Sequence, residues 1–163
     1  MSISLEDEIA LLLRNTNLTL ATAESATGGL ISGTITSVSG SSAYYIGSVI
    51  SYSSEIKEKI LGVKSETLQK YGAVSRQVAE EMAQGVRRLM NTDIGISDTG
   101  IAGPTGATST KPVGLFYLGL SAVDRNIIEE HIFSGNRQMI RQAAMQATLI
   151  MLRDYLLGKY KTC

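Results

Sequence analysis

One histidine, one cysteine, two prolines and no tryptophan occur among the 163 residues of this chain, and each shortage removes a kind of chemistry. With His131 alone, the chain has no source for a Ser-His-Asp triad, a Cys-His pair or a histidine-rich metal centre. Its alternation with Ile132 places His131 at an exposed strand position. The lone cysteine, Cys163, excludes an internal disulfide and gives no support to an extracellular setting. Charge of one sign is also missing: fifteen basic residues balance fifteen acidic ones, so there is no bulk attraction to nucleic acid or anionic membrane. No apolar window approaches the length of a membrane span. The run from Ile9 to Leu13 follows Glu6, Asp7 and Glu8, where a signal peptide would be positive. The expectations are a cytoplasmic chain with no metal, no cofactor, no nucleic-acid partner and no membrane contact.

What is present is a hydrophobic content of 44 %, enough for one well-buried domain over residues 1–163. Leu5, Ile9, Leu12 and Leu13 recur at helical spacing after Ser2 or Ser4 and predict a helix ending near Asn15. Leu18 to Ala23 reads as a buried strand, and Leu30, Ile31 and Ile35 as a short helix behind the Gly28-Gly29 pair. Tyr44 to Tyr52 is β-rich, and Ser53 or Ser54 caps a helix over Glu55 to Leu61 that stops near Gly62. A short helix over Glu66 to Tyr71 ends at Gly72. Ser75 then caps a long helix with Val78, Ala79, Met82, Val86 and Leu89 on one face. Strands follow over Ile94 to Thr99, Val113 to Val123 and Ile127 to Phe133, the last two joined at Asp124-Arg125-Asn126. A final helix from Arg137 to Leu157 is expected to bury Ile140, Ala143, Ala144, Ala147, Ile150 and Met151. The early alternation of strand and helix, closed by an antiparallel pair, predicts an α/β fold: three α/β/α layers around a mixed, mostly parallel sheet.

Three places can carry chemistry. Ser25 follows an apolar strand and precedes Gly28 and Gly29 at a helix start, where a hydroxyl can stand beside free backbone N–H groups. Ser25 or Thr27 as a plain N-cap explains the local pattern equally well. A nucleophilic serine without histidine needs another base, and Lys57, in the first turn of the helix after Tyr52, meets that need if its amine is partly neutral. A solvated helix lysine is the ordinary alternative, and Tyr52 is placed to relay or orient a proton. Gly100 to Gly106 resembles a phosphate-cradling loop but has neither a Rossmann nor a Walker signature, and an ordinary tight loop fits as well. Arg137 and Arg141 lie one turn apart at the start of the last helix, where two guanidinium groups suit a phosphate.

Read together, Thr22-Ala23-Glu24-Ser25-Ala26-Thr27-Gly28-Gly29, Gly40-Ser41-Ser42-Ala43, Tyr52-Ser53-Ser54-Glu55-Ile56-Lys57, Gly72-Ala73-Val74-Ser75, Thr99-Gly100-Ile101-Ala102-Gly103-Pro104, Lys111-Pro112-Val113-Gly114 and Phe133-Ser134-Gly135-Asn136-Arg137 resemble the CinA C-terminal domain family. The resemblance extends from about Leu18 to Leu157, at a length like that of stand-alone members, among them nicotinamide-nucleotide amidases. It implies hydrolysis of nicotinamide mononucleotide to nicotinic acid mononucleotide and ammonia, without a metal or cofactor, in a homodimer. It also implies Ser25 as nucleophile and Lys57 as base, with Tyr52 and Thr99 in the same pocket. Thr27, Gly28 and Gly29 are expected at the oxyanion, and Gly100, Ala102, Gly103, Pro104, Arg137 and Arg141 at the nucleotide. The chain departs from the family pattern at Ala26, Ser48, Ser54 and Ala107 to Thr110. A silent paralogue that binds a nucleotide-like ligand and an amidase for another carboxamide are the alternatives.

Overall fold

Serine and asparagine side chains start four of the helices. The computed structural model of the protein describes residues 3–160, so Ser2 and Cys163 lie outside the described residues. Ser4 caps α1 (Leu5–Thr16), Ser53 caps α3 (Ser54–Leu61), Ser75 caps α5 (Arg76–Met90) and Asn136 caps α6 (Arg137–Leu156). Each side chain accepts a hydrogen bond from the backbone N–H three residues on, which satisfies one of the orphan donors of a first turn. The remaining helices are α2 (Leu30–Thr36) and α4 (Ser65–Tyr71).

Five strands form one mixed sheet: β1 (Leu20–Glu24), β2 (Tyr45–Ile50), β3 (Ile94–Gly100), β4 (Leu115–Ser121) and β5 (Asn126–Ile132). Their spatial order is β2-β1-β3-β4-β5. The pairs β1/β2 and β1/β3 are parallel, whereas β3/β4 and β4/β5 are antiparallel, so four strands share one direction and β4 opposes them. Leu20 to Glu24 is buried throughout, as a central strand covered on both faces requires. On one face α1, α2 and α6 close a core that includes Leu13, Leu20, Ile31, Ile96, Phe116 and Ile140. On the other, α5 with α3 packs Val78, Met82, Val86 and Leu61 against Ala21 and Ala23. Gly119 lets α5 lie this close: a Cβ there would stand 2.6 Å from the Ala79 carbonyl oxygen.

The expected three layers and mixed sheet are those observed, with differences at edges and ends. Strand β2 stops at Ile50, leaving Tyr52 two residues beyond it, and β4 omits Val113, Gly114, Ala122 and Val123. Leu89 and Ile150, both expected to be buried, are exposed. Periodicity gives a side chain's angle on its helix, not whether another element stands opposite. Helix α6 packs against α1 and α2 as well as the sheet, so its buried arc is wide and includes Leu149 and Leu152 in place of Ile150. His131 is half-buried rather than exposed, stacked on Phe133 with its ring centroid 5.3 Å away and paired with Glu129 at 2.8 Å.

Candidate active site

Chain order places a crevice at the carboxyl end of β1. After β1 the chain passes to β2 on one side, then crosses to β3 on the other, and open α/β sheets bind ligands at such switch points. Ser25 directly follows β1, Ser51 and Tyr52 follow β2, and Thr99 and Gly100 end β3. A pocket of about 290 Å³ lies among them, walled also by Ala73, Val74 and the loop after β3.

Lys57 is 2 % exposed, and its stem passes inward from α3 to the floor of this pocket. Its Nζ donates to Ser25 Oγ at 2.9 Å and to the Ser51 carbonyl at 2.6 Å. Burial pushes the Lys57 amine down from 10.5 to about 8, and the negative charge of Asp98 opposes part of that fall. A substantial neutral fraction near pH 8 gives this amine the ability to accept a serine proton. Thr99 Oγ1 donates to the Ala73 carbonyl at 2.7 Å, which ties the β3 end to the loop before α5.

The turn after Ser25 is held by two buried carboxylates that the sequence reading did not select. Glu24 accepts from the N–H groups of Gly29, Ile31 and Ser32 at 2.8 to 3.0 Å, and its Oε2 lies 2.8 Å from the Thr27 hydroxyl oxygen. Asp98 accepts from the N–H groups of Ser25 and Thr27 at 3.1 and 3.2 Å, and its Oδ1 also accepts from the Thr27 hydroxyl. Burial pushes the Asp98 carboxyl up to about 6, against hydrogen bonds that favour its ionised form. The N–H groups of Thr27 and Gly29, expected to stabilise an oxyanion, are therefore occupied by Asp98 and Glu24. Thr27, Gly28 and Gly29 do not border the pocket. Gly28 and Gly29 keep φ at +58° and +104°, left-handed values that let the chain fold back over Glu24.

Arg137 and Arg141 separate. Arg137 borders the pocket, donating to the Gly103 carbonyl at 2.7 Å and to the Tyr52 hydroxyl at 3.1 Å. Tyr52 is 65 % exposed at the rim, so its hydroxyl meets Arg137 rather than the Ser25–Lys57 pair. Arg141 turns to the Ala26 and Thr27 carbonyls at 3.0 and 2.7 Å and clamps the turn from behind, although both arginines border a second depression with Leu30, Gln138 and Gln142. Gly100, Ala102 and Gly103 line the pocket. Pro104, whose bond to Gly103 is cis, does not.

Among the other departures, Ala26 is in the pocket wall, Ser48 accepts from Thr22 Oγ1 at 2.8 Å within the sheet, and Ser54 is the first residue of α3. Ala107 to Thr110 form an exposed loop that does not line the pocket, directly after Thr105 and Gly106, which do. Asp98 had a signal in sequence, a carboxylate inside an apolar strand, but its partners are 71 to 73 residues distant.

Fold and site together define a three-layer α/β domain with a buried serine–lysine pair at the switch point of its sheet. The chain belongs to the CinA C-terminal domain family, whose model matches residues 2–156. It is 49 % identical over 154 residues to a CinA-like protein of Kosmotoga olearia, covering 94 % of this chain and 37 % of that one. A Thermoanaerobacter pseudethanolicus protein whose name carries the words competence-damage inducible is 48 % identical with the same coverage. The chain thus spans little more than a third of these relatives. Among solved structures, a competence/damage inducible protein from Agrobacterium tumefaciens superposes with a TM-score of 0.88 at 36 % identity, over 96 % of this chain and 99 % of that one. A CinA superfamily protein from Klebsiella pneumoniae gives 0.91 at 28 % identity, over 94 % and 96 %.

Proposed function

We propose that the protein hydrolyses the carboxamide of nicotinamide mononucleotide, giving nicotinic acid mononucleotide and ammonia, with Ser25 as nucleophile and Lys57 as general base. The observation that carries this reading is the 2.9 Å contact between Lys57 Nζ and Ser25 Oγ on the floor of an open pocket. A buried lysine whose amine is pushed down to about 8 is costly to keep in a fold unless its neutral form is used.

In the first step neutral Lys57 takes the Ser25 proton while Oγ bonds to the amide carbon. Lys57 returns that proton to the departing nitrogen, the C–N bond breaks, and ammonia leaves an ester on Ser25. Water then attacks the ester, giving one proton to Lys57, which passes it to Ser25 Oγ as the acyl bond breaks; the acid released loses its remaining proton to solvent and departs as the carboxylate. The Ala26 N–H, engaged by neither Asp98 nor Glu24, is the donor beside Ser25 for the developing oxyanion. Arg137 and the backbone of Gly100, Ala102 and Gly103 line the part of the pocket that suits an anionic phosphate. Tyr52 keeps Arg137 at the rim, and Arg141 keeps the Ser25 turn in place.

An assay of ammonia and nicotinic acid mononucleotide beside a binding titration tests the reading. Turnover that Ser25→Ala removes, with binding retained, is the expected result, because Ser25 acts only in the chemical step. Binding without turnover points to a silent nucleotide-binding paralogue. Neither points to another carboxamide. A homodimer, a cytoplasmic setting and the absence of a cofactor belong to the same proposal.

A further inference from the structure

Beneath the pocket, Asp98 is wholly buried on β3 and does not form part of the pocket wall. Among the described residues, no arginine or lysine is hydrogen-bonded to its carboxylate. All its described partners belong to the turn that carries the nucleophile: the N–H groups of Ser25 and Thr27, and the Thr27 hydroxyl. That hydroxyl also reaches Glu24 Oε2 at 2.8 Å, so one side chain bridges two buried carboxylates from neighbouring strands. Burying an ionised carboxylate is unfavourable unless its acceptor sites are filled. A fold that needed only to close this turn could do so with neutral groups.

We infer that Asp98 is the positioning residue of the Ser25–Lys57 pair, fixing the backbone of Ser25 through two N–H groups and the Thr27 hydroxyl so that Oγ faces Nζ. The inference rests on the serine–lysine reading and deepens it. Asparagine cannot replace Asp98 here. Its amide has one oxygen and one NH2 group, and whichever way it is turned the NH2 faces the N–H of Ser25 or of Thr27. The Ser25 backbone then moves, and a displacement near 1 Å at a reacting group costs about 10²-fold in rate.

Asp98 has a second effect that a purely structural group would lack. Asp98 from β3 is the charged group that acts on Lys57, Tyr52 beyond β2 and Arg137 from α6 line the same pocket, and Glu24 on β1 is engaged by the Ser25 turn. Of these, Asp98 is the one whose charge holds the Lys57 amine up. Removing that charge lets the amine fall further, and the acid limb of the rate profile follows it toward lower pH.

The test uses the full chain as wild type, Asp98→Asn and Thr27→Val, with kcat and KM measured on nicotinamide mononucleotide. The titration midpoint of Lys57 is followed by NMR of isotopically labelled lysine. For Asp98→Asn the expected result is a kcat loss of about 10²-fold, a KM within about threefold and a Lys57 midpoint lower by at least about half a unit. Thr27→Val keeps the charge, so kcat falls while the midpoint stays. A kcat loss in Asp98→Asn with an unmoved midpoint, or a moved midpoint with kcat within about twofold of wild type, overturns the inference. If Asp98→Asn does not fold, Thr27→Val decides: reduced kcat at unchanged KM supports the inference, and wild-type kcat overturns it. If wild type turns over no carboxamide, the proposed reaction has failed by itself. The rate of Ser25 labelling by a fluorophosphonate then replaces kcat in the same comparison, and the Lys57 midpoint is read as before.

Discussion

Helices α1 and α2 open in opposite ways. At α1 a half-buried serine, Ser4, caps the first turn and Glu6, Asp7 and Glu8 follow it, all within reach of solvent. At α2 the capping position is Gly29 with no side chain to offer, and the first-turn N–H groups go to Glu24, a carboxylate buried at the end of the preceding strand. The first arrangement is local and replaceable. The second buries a charge, holds the N–H groups of Gly29, Ile31 and Ser32, and leaves a serine hydroxyl directed at Lys57, the one deeply buried lysine among the described residues. Rigidity at the Ser25 turn thus comes from interior charge rather than from a surface cap.

The largest expected effect follows from removing the buried cap. Glu24→Ala leaves the N–H groups of Gly29, Ile31 and Ser32 without their carboxylate, and urea unfolding is expected to show a loss of about 3–5 kcal/mol. Next is a gain. The Lys57 amine is lower in the folded chain than unfolded, so the stability linked to it is present above about 10.5 and is lost as pH falls toward about 8. At pH 7 Lys57→Met removes a charge that folding buries, and a gain of about 2 kcal/mol is expected after allowing for the lost bond to the Ser51 carbonyl. Thermal melts should show that gain shrinking as pH rises above about 8. Arg141→Met, which frees the carbonyls of Ala26 and Thr27, is expected to lose about 1.5 kcal/mol and to lower kcat more than it raises KM. Ser4→Ala, at the local cap, is expected to cost about 1 kcal/mol and leave activity unchanged. Equal losses at Ser4 and Glu24 would erase the contrast between the two helix openings.

The same contrast explains what could be read in advance. Ser53, Ser75 and the Gly62 and Gly72 stops act within a few residues of themselves, so their helices were legible from spacing. The Ser25 and Lys57 candidates were legible as residue types at strand and helix ends, and the structure brings them together across 32 residues. The oxyanion expectation at Thr27 and Gly29 failed because a run of N–H groups in sequence does not say which carboxylates are near. Asp98 reaches those groups from 71 to 73 residues away. Arg137 and Arg141 looked alike on one helix face, and only tertiary packing sends one to the pocket and the other to the back of the turn. Leu89 and Ile150 erred for a related reason, since an apolar angle on a helix is buried only where another element meets it.

The pH dependence of kcat/KM for nicotinamide mononucleotide tests the serine–lysine reading most directly. Because Lys57 must be neutral to accept the Ser25 proton, kcat/KM is predicted to rise with pH and level off above about 8, and Ser25→Ala is predicted to abolish it at every pH. A profile flat through that range, or turnover that survives Ser25→Ala, would contradict it.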